Sequence, residues 1–309
     1  MSEGANNPPA EATRCGFIAI LGAPNAGKST LVNALVGAKV TIVSRKAQTT
    51  RVPVRGIAIE GASQLIFIDT PGIFAPNRRL DRAMVDAAWA RASEAEVVAL
   101  IVDAAKGDVE GDTLGIVDKL AGTRVSRLLI LNKIDRVKKE NLLDVAQALN
   151  ARLPFEATFM ISALAGSGVN DLKRHLASMV PAGPWHYPED EISDAPLRLL
   201  AAEITRERIY ERLHEELPYA TTVETTAWKE LRGGAVRIEQ TIYVERESQR
   251  KIVLGESGRT IKQISMEARR EVGDILEKPV HLFLFVKVRG GWQNDPERYR
   301  EIGLDFPKD

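Results

Sequence analysis

Residues 22–29 read GAPNAGKS, and this stretch decides the fold of the first half of the chain. It has the G-x-x-x-x-G-K-S/T spacing of a phosphate-binding loop. The apolar run 17–21 before it predicts a buried strand, and residues 30–35 after it predict a helix. Glycines let the backbone turn so that successive N–H groups converge on phosphate oxygens, and the helix dipole adds positive charge. The alternative is a glycine-rich turn that binds nothing.

Length, charge and cysteine content bound the class of protein. The 309 residues suffice for two domains of ordinary size. The 42 basic and 42 acidic side chains cancel, so any nucleic-acid contact must be a local patch. The single cysteine, Cys15, excludes an internal disulfide and favours a reducing compartment.

Hydropathy favours a cytoplasmic protein. No apolar run approaches the ~18 residues of a membrane-spanning helix. Residues 1–14 lack the features of a signal or transit peptide, and we expect them to form a disordered extension. We expect a monomer in the cytoplasm, with weak peripheral association at the inner face of the cell membrane as an open alternative.

Strand and helix patterns alternate as far as residue 180. An antiparallel hairpin is predicted at 54–68, further buried strands at 97–102, 127–131 and 158–161, and helices at 111–120 and 169–179. This alternation predicts an α/β domain over residues 15–182, with a doubly wound, mostly parallel sheet.

Two further motifs follow predicted strands. Asp69-Thr70-Pro71-Gly72 comes after the hairpin, where Asp69 can hold the shell of a magnesium ion and Gly72 can offer an N–H to the terminal phosphate. The alternative is a plain Pro-Gly turn.

The second motif, residues 132–135, reads NKID. The carboxylate of Asp135 can accept from N1–H and the 2-amino group of guanine, whereas adenine would leave it unpaired. Asn132 can bridge the base and the phosphate loop, the stem of Lys133 can lie along the ring, and a backbone N–H at Ser162 or Ala163 can donate to the guanine O6. An ordinary helix cap is the alternative.

These motifs predict a GTP/GDP site with Mg²⁺, in which Lys28 reaches the terminal phosphates and Ser29 binds the metal. The predicted nucleotide contacts are Gly22, Ala23, Pro24, Asn25, Ala26, Gly27, Lys28, Ser29, Thr30, Asp69, Thr70, Pro71, Gly72, Asn132, Lys133, Asp135, Ser162 and Ala163.

Residues 183–196 are rich in proline, acidic and aromatic side chains and predict a linker. Residues 197–309 then show a helix-strand-strand-helix-helix-strand pattern with Gly255-Glu256-Ser257-Gly258 between two helices. A GxxG turn in this setting is typical of an α+β type II KH domain, in which the glycines let the backbone approach the sugar-phosphate chain. A plain helix-helix turn is the alternative.

An apolar groove for unstacked bases is predicted beside this turn, lined by Ile252, Val253, Ile261 and Ile264. Residues 246–270 carry seven basic side chains against Glu247, Glu256 and Glu267, which gives a local charge of 7 − 3 = +4. The predicted RNA contacts are Ile252, Gly255, Glu256, Ser257, Gly258, Arg259, Ile261 and Lys262.

From about residue 16 to residue 305, the chain resembles the Era family of bacterial GTPases. The resemblance is carried by GAPNAGKST, SRKAQTTR at 44–51, DTPG, NKID, ISA at 161–163, GESGRTIKQISMEARRE and VHLFLFVKVRGGW. It implies GTP hydrolysis in assembly of the small ribosomal subunit, with the KH domain on the 3′ end of 16S rRNA in the 30S subunit. It also implies that Thr50, or alternatively Thr49, closes on Mg²⁺.

The resemblance further implies a catalytic set of Lys28, Asn25, Thr50 and Gly72, in which Asn25 helps to hold K⁺. The position after Gly72 is Ile73, which cannot orient water, so we expect slow unassisted turnover. One departure is Glu256-Ser257 inside the GxxG turn, where an acid would face phosphate. Two hypotheses remain: a hydrolysing switch, or a structural RNA-binding protein in which nucleotide only stabilises the fold.

Overall fold

The computed structural model describes residues 12–44, 46, 49–51, 53–76, 78–106, 111–213, 217–291, 296, 299 and 304–307. Most of the predicted disordered extension lies outside these residues, and the first strand begins at its last position, Arg14. Within the described part of the chain, no helix combines the length and the apolar character needed to cross a membrane.

The first domain is built on a six-stranded sheet. Its strands are β1 (Arg14–Leu21), β2 (Val54–Glu60), β3 (Ser63–Asp69), β4 (Val97–Asp103), β5 (Ser126–Asn132) and β6 (Ala157–Ile161). The order across the sheet is β2-β3-β1-β4-β5-β6, and every neighbouring pair is parallel except β2 with β3. The predicted doubly wound sheet with one antiparallel hairpin is confirmed.

Helices cover both faces of this sheet. They are α1 (Lys28–Val36), α2 (Arg79–Glu94), α3 (Asp112–Ala121), α4 (Lys139–Arg152) and α5 (Val169–Met179). α1 and α5 share one apolar core with alternate residues of the strands, such as Ile18 and Ile20. α2, α3 and α4 pack on the other face against Ala19 and Leu21. Because both faces are covered, the strands read as continuous apolar runs.

The segment predicted as a linker, residues 183–196, is docked on the first domain. The fully buried side chain of Gln64 accepts from the backbone N–H groups of His186 and Tyr187 at 2.9 and 3.0 Å. Farther along, the N–H of Ile57 donates to the carbonyl of Ile192 at 2.9 Å. These contacts make the segment a strap along the edge of the sheet rather than a free tether.

The second domain contains α6 (Leu197–Arg212), β7 (Thr222–Glu230), β8 (Val236–Val244), α7 (Glu247–Leu254), α8 (Arg259–Leu276) and β9 (Val280–Val288). This is the predicted element order. β8 is central, antiparallel to β7 and parallel to β9. Ile204 on α6 and Val272 on α8 pack with Ile238 on the sheet, and Ile42 from the loop after α1 joins this core. A side chain of the first domain is thus buried within the second.

Candidate functional site

The carboxyl ends of five parallel strands meet at one edge of the first sheet, where ligand sites form in folds of this type. A cleft of about 940 Å³ opens there. Its walls include Pro24, Lys28, Ser29, Gly72, Asn132 and Asp135 from the three predicted motifs. Tyr210 and Glu211 from α6 also line it, so the second domain contributes to the cleft.

The phosphate loop requires glycine for two separate reasons. Gly27 has φ +105°, in the left-handed region, and a Cβ there would lie 2.2 Å from Nδ2 of Asn132. A Cβ on Gly22 would lie 2.4 Å from the carbonyl oxygen of Ile101. The loop backbone is therefore pressed against β4 and β5, which leaves no room for side chains.

Lys28 begins α1 and points back over the loop. Its Nζ donates to the carbonyls of Gly22 and Ala23, both at 3.0 Å, and its side chain is buried. Burial lowers the pKa of Lys28 to about 8, and the nearby carboxylate of Asp69 opposes this shift. A phosphate group in the cleft would restore the favourable environment of the ammonium ion.

Three hydroxyl groups converge on the carboxylate of Asp69, which is fully buried at the end of β3. Its Oδ2 accepts from Ser29 and Thr41 at 2.8 Å and from Thr50 at 3.1 Å. Its Oδ1 has no hydrogen-bond partner among the described residues. Burial raises the pKa of Asp69, while the hydroxyl hydrogen bonds and Lys28 lower it.

This arrangement fits a magnesium ion. Mg²⁺ prefers hard oxygen donors and keeps several waters, which a free carboxylate oxygen can bind. The hydroxyls of Ser29 and Thr50 lie 2.9 Å apart beside that carboxylate. Ser29 and Thr50 would hold the ion and Asp69 its water shell.

The two candidate threonines, Thr49 and Thr50, have different hydrogen-bond partners. Thr50 points to Ser29 and Asp69, whereas the hydroxyl of Thr49 donates to the carbonyl of Lys46 at 2.9 Å. Thr41 also reaches Asp69, and sequence reasoning missed it because no motif marks that position.

The residues after Asp69 pack against the phosphate loop. Thr70 is buried and donates to the carbonyl of Ile20 at 2.7 Å, so its side chain faces the sheet. Pro71 is also buried. A Cβ on Gly72 would lie 3.0 Å from Pro24, and the N–H of Ile73 donates to the carbonyl of Gly22 at 3.1 Å. The side chain of Ile73 belongs to the core.

The NKID segment ties the phosphate loop in place. Nδ2 of Asn132 donates to the carbonyl of Ala26 at 2.8 Å, and its Oδ1 accepts from the N–H of Ala163 at 2.9 Å. Asn132 therefore bridges two loops, and its side chain is buried.

Lys133 makes a second tie. Its Nζ donates to the carbonyl of Asn25 at 2.7 Å and to Asp103 at 2.5 Å. Asp103 ends β4 and was not predicted as a site residue. Asn25 thus contributes a backbone carbonyl to this contact, and Asn25 and Thr30 are both among the residues that line the cleft.

The end of the cleft that contains Asp135 is open to solvent. Asp135 is exposed, and a hydrogen bond from Ser162 lowers its pKa, so the carboxylate is ionised at neutral pH. The N–H groups of Ser162 and Ala163 are already bonded, to Ser167 and Asn132. A hydrogen bond from either group to the guanine O6 would have to replace or share one of these bonds. The next residue, Leu164, lines the cleft and is 79% exposed.

The GxxG turn, between α7 and α8, is exposed on the second domain. Gly255 and Gly258 have φ +72° and +76°, and the Glu256 and Ser257 side chains between them are exposed. A Cβ on Gly255 would lie 2.2 Å from the hydroxyl of Thr260, whereas nothing lies within 4 Å of one on Gly258. Arg259 and Lys262, at the start of α8, are also exposed.

The predicted apolar groove is only half correct. Ile252 is 55% exposed and Ile261 is partly exposed, so both can meet a ligand. Val253 and Ile264 are fully buried and belong to the core with Ile209 and Val244. These two side chains face the sheet, where they pack with Ile242 and Val244 of β8.

Two protein-family models match parts of this chain. Residues 17–133 match the family model of 50S ribosome-binding GTPases, and residues 216–293 match the KH domain. The chain is 61% identical to GTPase Era of a Bradyrhizobium species over 301 residues, covering 97% of each chain. It is 61% identical to GTPase Era of Brucella suis over 295 residues, covering 96% of this chain and 94% of that one.

Two solved structures of Era are similar to this chain over most of its length. One is Era in complex with MgGDPNP and nucleotides 1506–1542 of 16S ribosomal RNA, and the other is a single-residue variant of Aquifex aeolicus Era bound to GDP·AlF4⁻. Each matches with a TM-score of 0.89 and 36% identity, covering 94% of this chain and 99% of that chain. The motifs, the order of the domains and these similarities lead to one conclusion: the chain belongs to the Era family of GTPases.

Proposed function

We propose that this chain is a GTP-hydrolysing switch in the assembly of the small ribosomal subunit. It binds the 3′ end of 16S rRNA on the 30S particle, and hydrolysis of GTP to GDP and phosphate drives its release. The observation that carries the proposal is that Tyr210 and Glu211, from the first helix of the KH domain, line the nucleotide cleft. A ligand in this cleft therefore acts on both domains.

Each part of the chain has its own role in this proposal. Residues 15–182 form the GTPase domain, 183–196 the connecting strap and 197–309 the RNA-binding domain. Lys28 moves its ammonium group from loop carbonyls to the β- and γ-phosphates, and Asp135 selects guanine. Bound Mg²⁺ supplies positive charge to the phosphates, and Ser29, Thr50 and Asp69 hold it.

RNA binding is assigned to the exposed turn and the start of α8. The related Era that was solved with nucleotides 1506–1542 of 16S ribosomal RNA supports the choice of ligand. Arg259 and Lys262 are exposed and have no ion-pair partner among the described residues, so they can offset the charge of Glu256. Ile252 and Ile261 provide the apolar contact for unstacked bases.

The rival hypothesis is a structural RNA-binding protein in which nucleotide only stabilises the fold. The two are separated by measuring the affinity for a 3′-terminal 16S rRNA fragment with GDP and with a non-hydrolysable GTP analogue, over a salt titration. A switch requires different affinities, because a ligand shifts an equilibrium only by its differential binding to the two states. Equal affinities would favour the rival.

The role of Asn25 is tested separately. Asn25 lines the cleft within the phosphate loop, and a side-chain amide oxygen at this position could contribute to the binding of a monovalent cation. We expect K⁺ to raise the rate of GTP hydrolysis above that in Na⁺. Equal rates in the two salts would remove this role.

A further inference from the structure

The loop between α1 and β2, which carries Thr50, is bonded to the KH domain. Lys39 pairs with Glu207 at 2.5 Å and also with Glu271. The N–H of Val43 donates to Glu207 at 2.7 Å. Lys46 donates to the carbonyl of Leu213. These described residues of the loop are therefore held by contacts from outside the GTPase domain.

The two residues next to Thr50, Thr49 and Arg51, are also hydrogen-bonded to the KH domain. Arg206, on α6, donates from Nη2 to the carbonyl oxygen of Thr49. Arg206 is 1% exposed, and its Nε donates to Glu203 at 2.8 Å. Burial alone would lower the pKa of Arg206, but the carboxylate of Glu203 raises it above its ordinary value, so the guanidinium ion stays charged. Charge-assisted hydrogen bonds of this kind are the stronger ones in proteins.

Arg51 follows Thr50 in the loop, and here the arginine of the loop donates to the KH domain. It reaches from the loop into the KH domain, where it donates to the carbonyls of Thr221 at 2.8 Å and Tyr219 at 3.1 Å. It also donates to the hydroxyl of Tyr210 at 3.2 Å. Arg51 is 5% exposed, so hydrogen bonds to the protein take the place of water around its guanidinium group.

Thr50 lies between these two anchors, and its own side chain contacts the metal site. Its hydroxyl lies 2.9 Å from that of Ser29. Because Thr50 is one peptide unit from each anchor, a shift of either guanidinium moves its hydroxyl relative to Ser29 and Asp69. The GTPase domain by itself supplies no comparably charged anchor for Thr49 among the described residues.

We propose that Arg206 of the KH domain is a positioning residue for GTP hydrolysis, which holds the Thr49 carbonyl and thereby places the Thr50 hydroxyl at the magnesium site. The inference rests on the proposed function and deepens it. The RNA-binding domain completes the metal site of its own GTPase domain, and any displacement of α6 releases Thr50.

The test compares full-length Arg206→Ala with Arg212→Ala. Arg212 lies on the same helix and is also ion-paired, with Glu267, but points to α8 and does not contact the loop. Loss of Arg206 should raise the Mg²⁺ concentration for half-maximal hydrolysis, and lower affinity for a non-hydrolysable GTP analogue, each on the order of tenfold. GDP affinity should stay within about twofold, since Thr50 acts with the terminal phosphate.

A second readout does not depend on activity. Hydrogen exchange of residues 39–51 in the nucleotide-free protein should become faster in Arg206→Ala and remain unchanged in Arg212→Ala. Arg206→Gln keeps a neutral hydrogen-bond donor, so its loop exchange and its Mg²⁺ requirement should be intermediate. This variant replaces Arg206→Ala in the test if the alanine variant does not fold.

A merely structural role predicts a different pattern. Both arginine variants would then lower the melting temperature, with exchange of the loop and the Mg²⁺ requirement as in wild type, and that result overturns the proposal. Failure of the proposed function is seen independently, as absence of Mg²⁺-dependent GTP hydrolysis in the wild-type protein.

Discussion

The phosphate loop and the GxxG turn are both glycine turns that lead into helices, and they are held in different ways. The phosphate loop is tied by residues more than 100 positions away, through Asn132 to Ala26 and Lys133 to Asn25. The GxxG turn is held locally, with the N–H of Gly258 donating to the carbonyl of Gly255 at 3.2 Å. Both turns use left-handed backbone conformations.

The difference shows how each turn meets its ligand. A loop with long-range ties is preorganised, so little of the binding free energy is lost in ordering it. A local, exposed turn can be altered without disturbing the core or the other domain. Changes in the first turn should therefore damage the nucleotide site as a unit, whereas changes in the second should affect RNA binding alone.

The largest effect is expected for Gly27→Ala. The new Cβ would meet Nδ2 of Asn132 at 2.2 Å and break the tie to Ala26. GTP affinity should fall on the order of 1,000-fold, as calorimetry can measure, because several converging donors are displaced together. Gly37→Ala is the matched control: it has φ +84° but nothing within 4 Å of the added carbon. Equal losses in both variants would mean that backbone strain, not the tie, is responsible.

The next effect concerns the base. Asp135→Asn should weaken GTP binding on the order of 100-fold and favour xanthosine triphosphate, whose 2-oxo group can accept from an amide. Competition binding with the two triphosphates measures the preference. Asp118→Asn, at an exposed carboxylate paired with Arg152, should change nothing. An unchanged preference in Asp135→Asn would remove Asp135 from base recognition and place selectivity elsewhere in the cleft.

A smaller and separable effect is expected in the KH domain. Gly258→Asp adds a side chain and a negative charge at a position with open space around it. RNA affinity should fall on the order of 30-fold, while GTP hydrolysis stays as in wild type. Gly233→Asp, in the β7–β8 turn, has φ +91° and the same open surroundings, and it controls for strain and charge. Undiminished RNA binding by Gly258→Asp would identify a plain turn.

The smallest effect is a pH dependence of the phosphate loop. In the nucleotide-free protein the pKa of Lys28 is about 8, so above this pH the side chain is largely neutral. Phosphates favour the charged form and raise the pKa again, so binding takes up a proton. GTP affinity should fall about tenfold from pH 7 to pH 9. Guanosine, which lacks phosphates, controls for titration of the base, and a pH dependence equal to that of GTP would exclude Lys28 as the cause.

Much of the site could be predicted because its chemistry is local in sequence. The phosphate loop, Asp69 and the NKID segment each follow an apolar strand, and parallel strands must bring their carboxyl ends together. The predicted helix 169–179 also agrees with α5. Helices α2 and α4 were not predicted individually, because charged residues are interspersed among their buried apolar positions.

Other features depended on packing between distant segments. Val253 and Ile264 have the same residue character as Ile252 and Ile261, and only the direction of each helix face decides which are buried. The donors at Ser162 and Ala163 appeared available in sequence, but contacts with Ser167 and Asn132 occupy them.

By itself, the sequence determined the chemistry of this protein, because the types and spacings of the groups that meet phosphate, metal and base are set along single strands and turns. The tertiary structure decided how the two domains share that chemistry. Thr50 rather than Thr49 meets Asp69, and hydrogen bonds of Arg51 and Arg206 cross the domain boundary on either side of Thr50. The sequence does not show these contacts, because only the fold brings carbonyls and carboxylates to a buried guanidinium.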